Sequence, residues 1–300
     1  MYLITGAAGK VGGVSRSVVE NLIGKGESVR AMVHREDSRA QRLRELGAEV
    51  VIGDLTSPRD VVHAMTGVER MFFNMSVSLD YLEATAIVCA AAREVGGYEV
   101  IVNMSQMTVS QMTLTSTGES FQQWLHWLSE QVMNWSGVPV VHIRPTVFLD
   151  NPLFTMLARR SVHDRGVLPL PFGTGRTSPI AAVDVARVIA AVLLDPADRI
   201  GDVYELTGPE ILDINGLAER YAHALKRPVT AEDTPYDEWI REYTRVSGLP
   251  DHVQQHIATM ARLHHEDHYN RLSDDFETVI GEPAQTVEQY IAAHPQLFGG

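Results

Sequence analysis

Residues 5–13 read Thr-Gly-Ala-Ala-Gly-Lys-Val-Gly-Gly and join a short apolar run, residues 2–5, to a helical pattern. Val14, Val18 and Leu22 recur at i, i+4 and i+8, one face of a helix that Gly24 and Gly26 close. The glycine spacing is Gly-x-x-Gly-x-x-Gly. Gly6 permits a tight turn, Gly9 admits a pyrophosphate close to the backbone, and Gly12 lets the helix sit near the strand. Free N–H groups at the helix start then face the phosphates. A glycine pattern alone is weak. Strand, turn and helix in that order make it an expectation of dinucleotide binding, with Gly6, Ala8, Gly9, Lys10, Val11 and Gly12 as the contact segment.

The first half continues in the same rhythm. Apolar runs at residues 28–33, 49–52, 70–74, 99–104 and 138–143 read as strands. Between them, Ser57-Pro58-Arg59-Asp60 is a helix start, with Ser as N-cap and Pro at the first helical position. Leu82, Ala86, Cys89 and Ala90 mark a second helix, and Phe121, Leu125, Leu128, Val132 and Trp135 give another its apolar face. Alternating strands and helices with short connections predict parallel strands and right-handed crossovers. The expected fold class is α/β: a Rossmann-like doubly wound parallel sheet with a smaller, mostly helical C-terminal substrate domain. The expected division is 1–150 for the nucleotide domain, joined by a returning segment at about 180–206, and 151–300 for a discontinuous cap. Residues 166–179, rich in Pro and Gly, read as a loop and a lid candidate on which Arg176 would meet an anionic substrate.

Composition excludes several functions. Over 300 residues, 25 Lys+Arg against 38 Asp+Glu give a formal net charge of −13, which repels nucleic-acid backbones and anionic membranes. A single cysteine, Cys89, forbids an internal disulfide and disfavours a thiolate-rich metal site. Cys89 itself reads as a buried, inert thiol. No apolar stretch reaches a membrane span of about 18 residues, and no signal-peptide pattern opens the chain, so a cytoplasmic location is expected. His264 and His268 are spaced to chelate on a helix, but no further ligand accompanies them, and no metal is expected.

The nucleotide is read from the end of the second strand. An acid for the ribose hydroxyls is absent from residues 32–35, and Arg35 is placed for a 2′-phosphate. This favours NADP(H). Glu36 and Asp37 stand close enough to reach a ribose, which keeps NAD(H) as the less favoured reading.

The ordered set of short motifs resembles the NmrA-like, atypical short-chain dehydrogenase/reductases. It comprises the glycine turn, Gly53-Asp54-Leu55, Ser136-Gly137-Val138-Pro139, Ile143-Arg144-Pro145, Pro179 with Asp184-Val185-Ala186, and Tyr204-Glu205-Leu206-Thr207-Gly208-Pro209. The resemblance implies an adenine contact at Asp54 and Leu55. It also implies that Asn74, Met75 and Ser76, and likewise Asn103 and Met104 with Ser105, lie against the ribose and nicotinamide. Many short-chain dehydrogenases carry Tyr-x-x-x-Lys. Aligned on Glu130, this chain has Gln122 and His126 at those positions, on one helix stripe. Gln122 is no acid. His126 is either a general acid, since an ordinary imidazole titrates near neutrality, or a hydrogen-bond partner of the ribose. Ser105 is the second catalytic candidate, as a group that polarises a carbonyl. Three of the four tryptophans, Trp124 to Trp135, are candidates to line a pocket or to fill the core. The resulting expectation is an NADP(H)-dependent oxidoreductase acting on a small carbonyl, quinone or similar acceptor. The alternative is a non-catalytic NADP(H)-sensing regulator that binds a protein partner; homodimerisation is compatible with either.

Overall fold

In the computed structural model, residues 1–9 and 13–298 are described. They divide into two units: Met1–Met112 with Gln122–Arg144 and Val183–Glu205, and Thr113–Phe121 with Pro145–Ala182 and Leu206–Gly300. In chain order the first unit begins β1 (Tyr2–Thr5), α1 (Val14–Gly24), β2 (Val29–Val33), α2 (Ser38–Glu45), β3 (Glu49–Ile52) and α3 (Pro58–Met65). It continues with β4 (Arg70–Phe73), α4 (Tyr81–Val95), β5 (Val100–Met104), α5 (Phe121–Ser136) and β6 (Val140–Pro145). The chain then builds α6 (Pro152–Thr155), α7 (Leu157–Arg165) and β7 (Val167–Leu170) of the second unit. It returns for α8 (Ala182–Leu194) and β8 (Val203–Leu206). The remainder is α9 (Ile214–Leu225), β9 (Thr230–Asp233), α10 (Tyr236–Ser247), α11 (Asp251–His265), α12 (Asp275–Ile280) and α13 (Val287–Ala293).

The seven-stranded sheet has the order β3-β2-β1-β4-β5-β6-β8, with β1 to β6 parallel. This is the Rossmann-like doubly wound sheet. The strand order reverses between β1 and β4, so the carboxyl ends of those strands bound the crevice where such sheets take ligands. Leu3, Ile4, Met71, Phe72, Phe73, Ile101 and Val102 are all buried, as continuous apolar strands covered on both faces must be. Local signals place the helices. Ser57 accepts from Asp60 N at the start of α3, with Pro58 in its first turn. Arg70 donates to the Leu193 and Leu194 carbonyls and so satisfies the end of α8.

Two expectations fail here. The apolar stripe assigned to α5 is not its buried face. Gln123, Leu125, Ser129, Glu130 and Met133 are buried, while Phe121 and Trp135 are 55% and 77% exposed. The polar residues go inward because each finds a partner: Gln123 donates to Thr108, Ser129 pairs with Thr85, and Glu130 pairs with Arg144.

The second failure is the loop reading of 166–179. Val167–Leu170 is a strand paired in parallel with Thr230–Asp233, and Phe172, Thr177 and Ser178 are fully buried. Pro169 and Pro171 suggested a loop, but in a two-stranded sheet every strand is an edge, and an edge tolerates the missing N–H. Arg176 is exposed, with its backbone N–H bonded to Asp267.

His264 fixes this segment. Its ring stacks between Phe172 and Tyr269, at centroid distances of 4.3 and 3.9 Å. Nδ1 donates to the Met260 carbonyl at 2.7 Å, and Nε2 accepts from Thr177 at 3.2 Å. Both nitrogens are occupied, so His264 is a core side chain, not a ligand. A Cβ on Gly175 would run into the His264 carbonyl, which requires glycine there.

Burial pushes the His264 imidazole down to about 3. A histidine held neutral contributes its full stability above the unfolded value of about 6.5, and loses it as pH falls toward the folded value. Urea midpoints of the wild type should therefore decline between pH 6.5 and 4. His264→Phe, which cannot take a proton, should decline less steeply across that window from a lower starting stability. Parallel slopes would remove the assignment.

Candidate functional site

The glycine turn is closed by backbone contacts. Gly6 has φ +75°, and a Cβ there would lie 2.7 Å from the Asn74 carbonyl oxygen and 3.1 Å from Ser15 Oγ. Only glycine meets both conditions. Gly9 N–H donates to the Gly6 carbonyl at 2.9 Å. Thr5 Oγ1 donates to the Asn74 carbonyl at 2.8 Å and accepts from Asn74 N–H at 2.9 Å. Asn74 Nδ2 donates to Ser15 Oγ at 2.9 Å. Asn74 thus ties the end of β4 to the start of α1, directly beneath the turn. Lys10, Val11 and Gly12 lie outside the described residues.

Beyond β2, arginines take up both acids. Arg44 holds Glu36 through two bonds of 2.6 and 2.7 Å. Arg39 holds Asp37 through Nε at 2.9 Å and Nη2 at 2.5 Å. The Arg39 guanidinium keeps the Asp37 carboxyl down at about 2, and Arg44 holds Glu36 below its usual range. Asp37 also caps α2, accepting from the N–H groups of Arg39 and Ala40. The remaining arm of Arg39, Nη1, donates to the Ala8 carbonyl at 2.7 Å, inside the glycine turn. Arg35 is exposed. Sequence reasoning missed Arg39; the available signal was an arginine two residues after an N-cap aspartate.

At the end of β3, Asp54 accepts from Thr56 N–H at 2.9 Å and Oγ1 at 2.8 Å, and these bonds lower its carboxyl. His34 Nδ1 stands 3.7 Å from its other oxygen. Leu55 and Met75 are half-buried, and Ser76 is exposed.

The end of β5 is closed by an interior chain of polar contacts. Asn103 is fully buried. Its Nδ2 donates to His142 Nδ1 at 3.0 Å, and His142 Nε2 donates to Asn134 Oδ1 at 3.0 Å. That chain holds one end of the Asn103 amide, while its buried Oδ1 makes no hydrogen bond to the described residues. Met104 and Ser105 follow at 7% and 3% exposure. Ser105 sits beside Glu130, which is 1% exposed and paired with Arg144 at 2.9 and 2.5 Å. Burial pushes the Glu130 carboxyl up, but the Arg144 guanidinium, helped by His142 and Ser105, outweighs it and holds the group ionised.

One turn earlier on α5, His126 is half-buried, with Nδ1 3.3 Å from the Tyr81 hydroxyl. Burial pushes its imidazole down to about 4, and Glu130 opposes only in part. Trp124 and Trp127 stack on each other at 5.2 Å, and Trp239 of the second unit is core, stacked on Tyr243. Cys89 is buried, which pushes its thiol up. Among the described residues no helix is long and apolar enough to cross a membrane, and no cluster of acids, histidines or cysteines is arranged to hold a metal.

The residues present fit a dinucleotide. The turn is held against the neighbouring strand with glycine at its tightest point, and guanidinium groups that pair with phosphate oxygens stand beyond β2. A family model described as NAD(P)H-binding matches residues 6–196. An NAD(P)H azoreductase of Xenophilus azovorans is 25% identical over 301 residues, covering 100% of this chain and 99% of the azoreductase. The solved NADPH-dependent quinone oxidoreductase of Escherichia coli, complexed with NADPH, superposes with a TM-score of 0.83 at 22% identity. It covers 98% of this chain and 99% of that one. The negative transcriptional regulator NmrA in complex with NADP superposes with a TM-score of 0.79 at 16% identity, covering 97% and 94%. At such identities the two superpositions establish the shared fold.

The Gly6 contact gives a direct check. Gly6→Ala should destabilise the chain by about 1–3 kcal/mol in urea unfolding, because it meets both a left-handed backbone and the Asn74 carbonyl. An unchanged midpoint would show that the turn relaxes freely.

Proposed function

This chain belongs to the NAD(P)H-binding family, and from that premise we propose that it is an NADP(H)-dependent oxidoreductase. Its substrate is a small carbonyl, quinone or similar acceptor. The observation that carries the cofactor choice is the pairing beyond β2. Glu36 and Asp37, the acids close enough to serve ribose hydroxyls, are each held by an arginine. Arg35 stays exposed beside them, and Arg39 reaches the glycine turn. An edge of this kind favours the dianionic 2′-phosphate over a pair of hydroxyls.

The bound nicotinamide would supply the hydride. The chain supplies the rest. The glycine turn and Ala8 seat the pyrophosphate. Asp54 and Leu55 face the adenine end, and Met75, Ser76, Met104 and Ser105 stand at the strand ends toward the nicotinamide. Ser105, whose buried Oγ makes no hydrogen bond to the described residues, polarises a carbonyl. The second unit serves substrate recognition, and a cytoplasmic location belongs to the same reading. The azoreductase and quinone oxidoreductase relatives support reduction of an electron-poor acceptor.

The test pairs cofactor titrations with turnover. NADPH should bind more tightly than NADH. Arg35→Ala should weaken NADPH by about tenfold or more, the worth of one charge-assisted bond, and leave NADH unaffected. Arg39→Ala should narrow the NADPH-to-NADH ratio by releasing Asp37. NADPH binding no tighter than NADH, with Arg35→Ala neutral, removes the cofactor assignment. The sensor alternative shares the nucleotide site, and tight NADPH binding without oxidation by any quinone or carbonyl acceptor would select it.

A further inference from the structure

Tyr81 opens α4 with its side chain pointing inward, 1% exposed. Its hydroxyl is 3.3 Å from the Met104 carbonyl oxygen and 3.3 Å from His126 Nδ1. A phenol has one proton to give. A carbonyl oxygen only accepts, whereas an imidazole nitrogen either carries a proton or accepts one. One arrangement satisfies both contacts: Tyr81 donates to Met104, and His126 Nδ1–H donates to Tyr81. We infer that Tyr81 is a positioning residue that locks His126 in the Nδ1–H tautomer, presents a bare Nε2, and thereby restricts the site to hydride acceptors that need no proton from the enzyme. The substrate part of this inference rests on the oxidoreductase reading; the tautomer does not.

The surroundings agree. The Tyr81 ring meets the imidazole edge-on, with centroids 5.1 Å apart, which fixes the plane of the histidine. Nε2 makes no hydrogen bond to any described residue. Two titratable groups face the ring. Glu130, on the same helix, is ionised and paired with Arg144, and it opposes the effect of burial on the imidazole only in part. Tyr81, from α4, is driven by burial far above neutrality and stays protonated. His126 is itself neutral above about pH 5, because burial holds it down at about 4.

A bare Nε2 accepts a hydroxyl proton, from a ribose or from a substrate. It cannot hand a proton to an oxygen that is gaining charge. An isolated ketone that takes a hydride becomes an alkoxide, too basic to form at speed without an acid at hand. A quinone that takes a hydride from NADPH gains two electrons and one hydrogen and becomes a hydroquinone monoanion. That anion is stabilised by its ring and draws its second proton from water. Quinones and comparable electron-poor conjugated acceptors are therefore the substrate class, with NADPH as reductant and NADP⁺ as the other product.

The tautomer is read directly by long-range ¹H–¹⁵N correlation NMR, with His126 assigned by its loss in His126→Gln. At pH 7 the wild type should show a protonated Nδ1 and an unprotonated Nε2, and Tyr81→Phe should give a mixture with an unchanged circular-dichroism spectrum. In turnover, menadione should be reduced with kcat flat between about pH 6 and 8, and acetophenone reduction should be at background. A protonated Nε2 in the wild type overturns the assignment of Tyr81, whatever the activity. The expected tautomer with acetophenone reduced as fast as menadione overturns the substrate class. NADPH oxidised by no acceptor removes the oxidoreductase reading and its substrate class together, while the spectrum decides the tautomer on its own.

Discussion

The Gly6 backbone and the Asn74 carbonyl approach so closely that no side chain fits between them. That contact joins β1 to β4 at the point where the strand order reverses. Thr5 strengthens it by giving its proton to the Asn74 carbonyl and receiving that residue's N–H. Asn74 then passes the constraint to α1 through Ser15, and Arg39 adds α2 through the Ala8 carbonyl. Four elements are held to one short loop by backbone atoms and fixed polar groups. Residues 6–9, held in this way, need no ordering before they meet an anion, which is how a preformed site differs from a flexible one.

A second organising feature is polar and interior. Glu130 and Arg144 are buried or nearly so, and taking two charges out of water is costly unless the geometry is good. Here the pairing is bidentate, with Glu205 3.8 Å from the far side of the guanidinium. The ion pair fixes α5 against β6. With α5 fixed, His126 has a set position relative to the end of β5. Thr85 with Ser129 and Gln123 with Thr108 extend the same polar contact along the helix.

The strands of the sheet were legible because buried parallel strands are apolar throughout. Runs such as Met71–Phe73 and Ile101–Val102 have no other stable home. The glycine turn was legible because its residue types are demanded by its backbone. Pairings between distant residues were not. Glu130 sits 14 residues from Arg144, and Thr85 sits 44 from Ser129, so periodicity assigned α5 the wrong face. The β7–β9 pair was hidden for another reason. Pro169 argues against a strand, and Thr-Ala-Glu-Asp at β9 has no apolar pattern, since that strand is largely solvent-facing. The bond from Asn103 to His142 was likewise hidden, because what a buried amide bonds depends on the neighbouring strand. The burial that lowers the His126 imidazole was not legible either, since burial cannot be read from residue type.

Asp37 and Arg39 carry a consequence for how such a chain changes over generations. The carboxylate suited to ribose hydroxyls is already encoded, and a neighbouring guanidinium keeps it occupied. The leaning toward one dinucleotide is therefore stored in a pairing between two side chains, not in the identity of either. Loss of the arginine would expose an acid that drift has no need to invent. On the proposed reading, cofactor choice at this edge is thus a character that a single substitution can reverse.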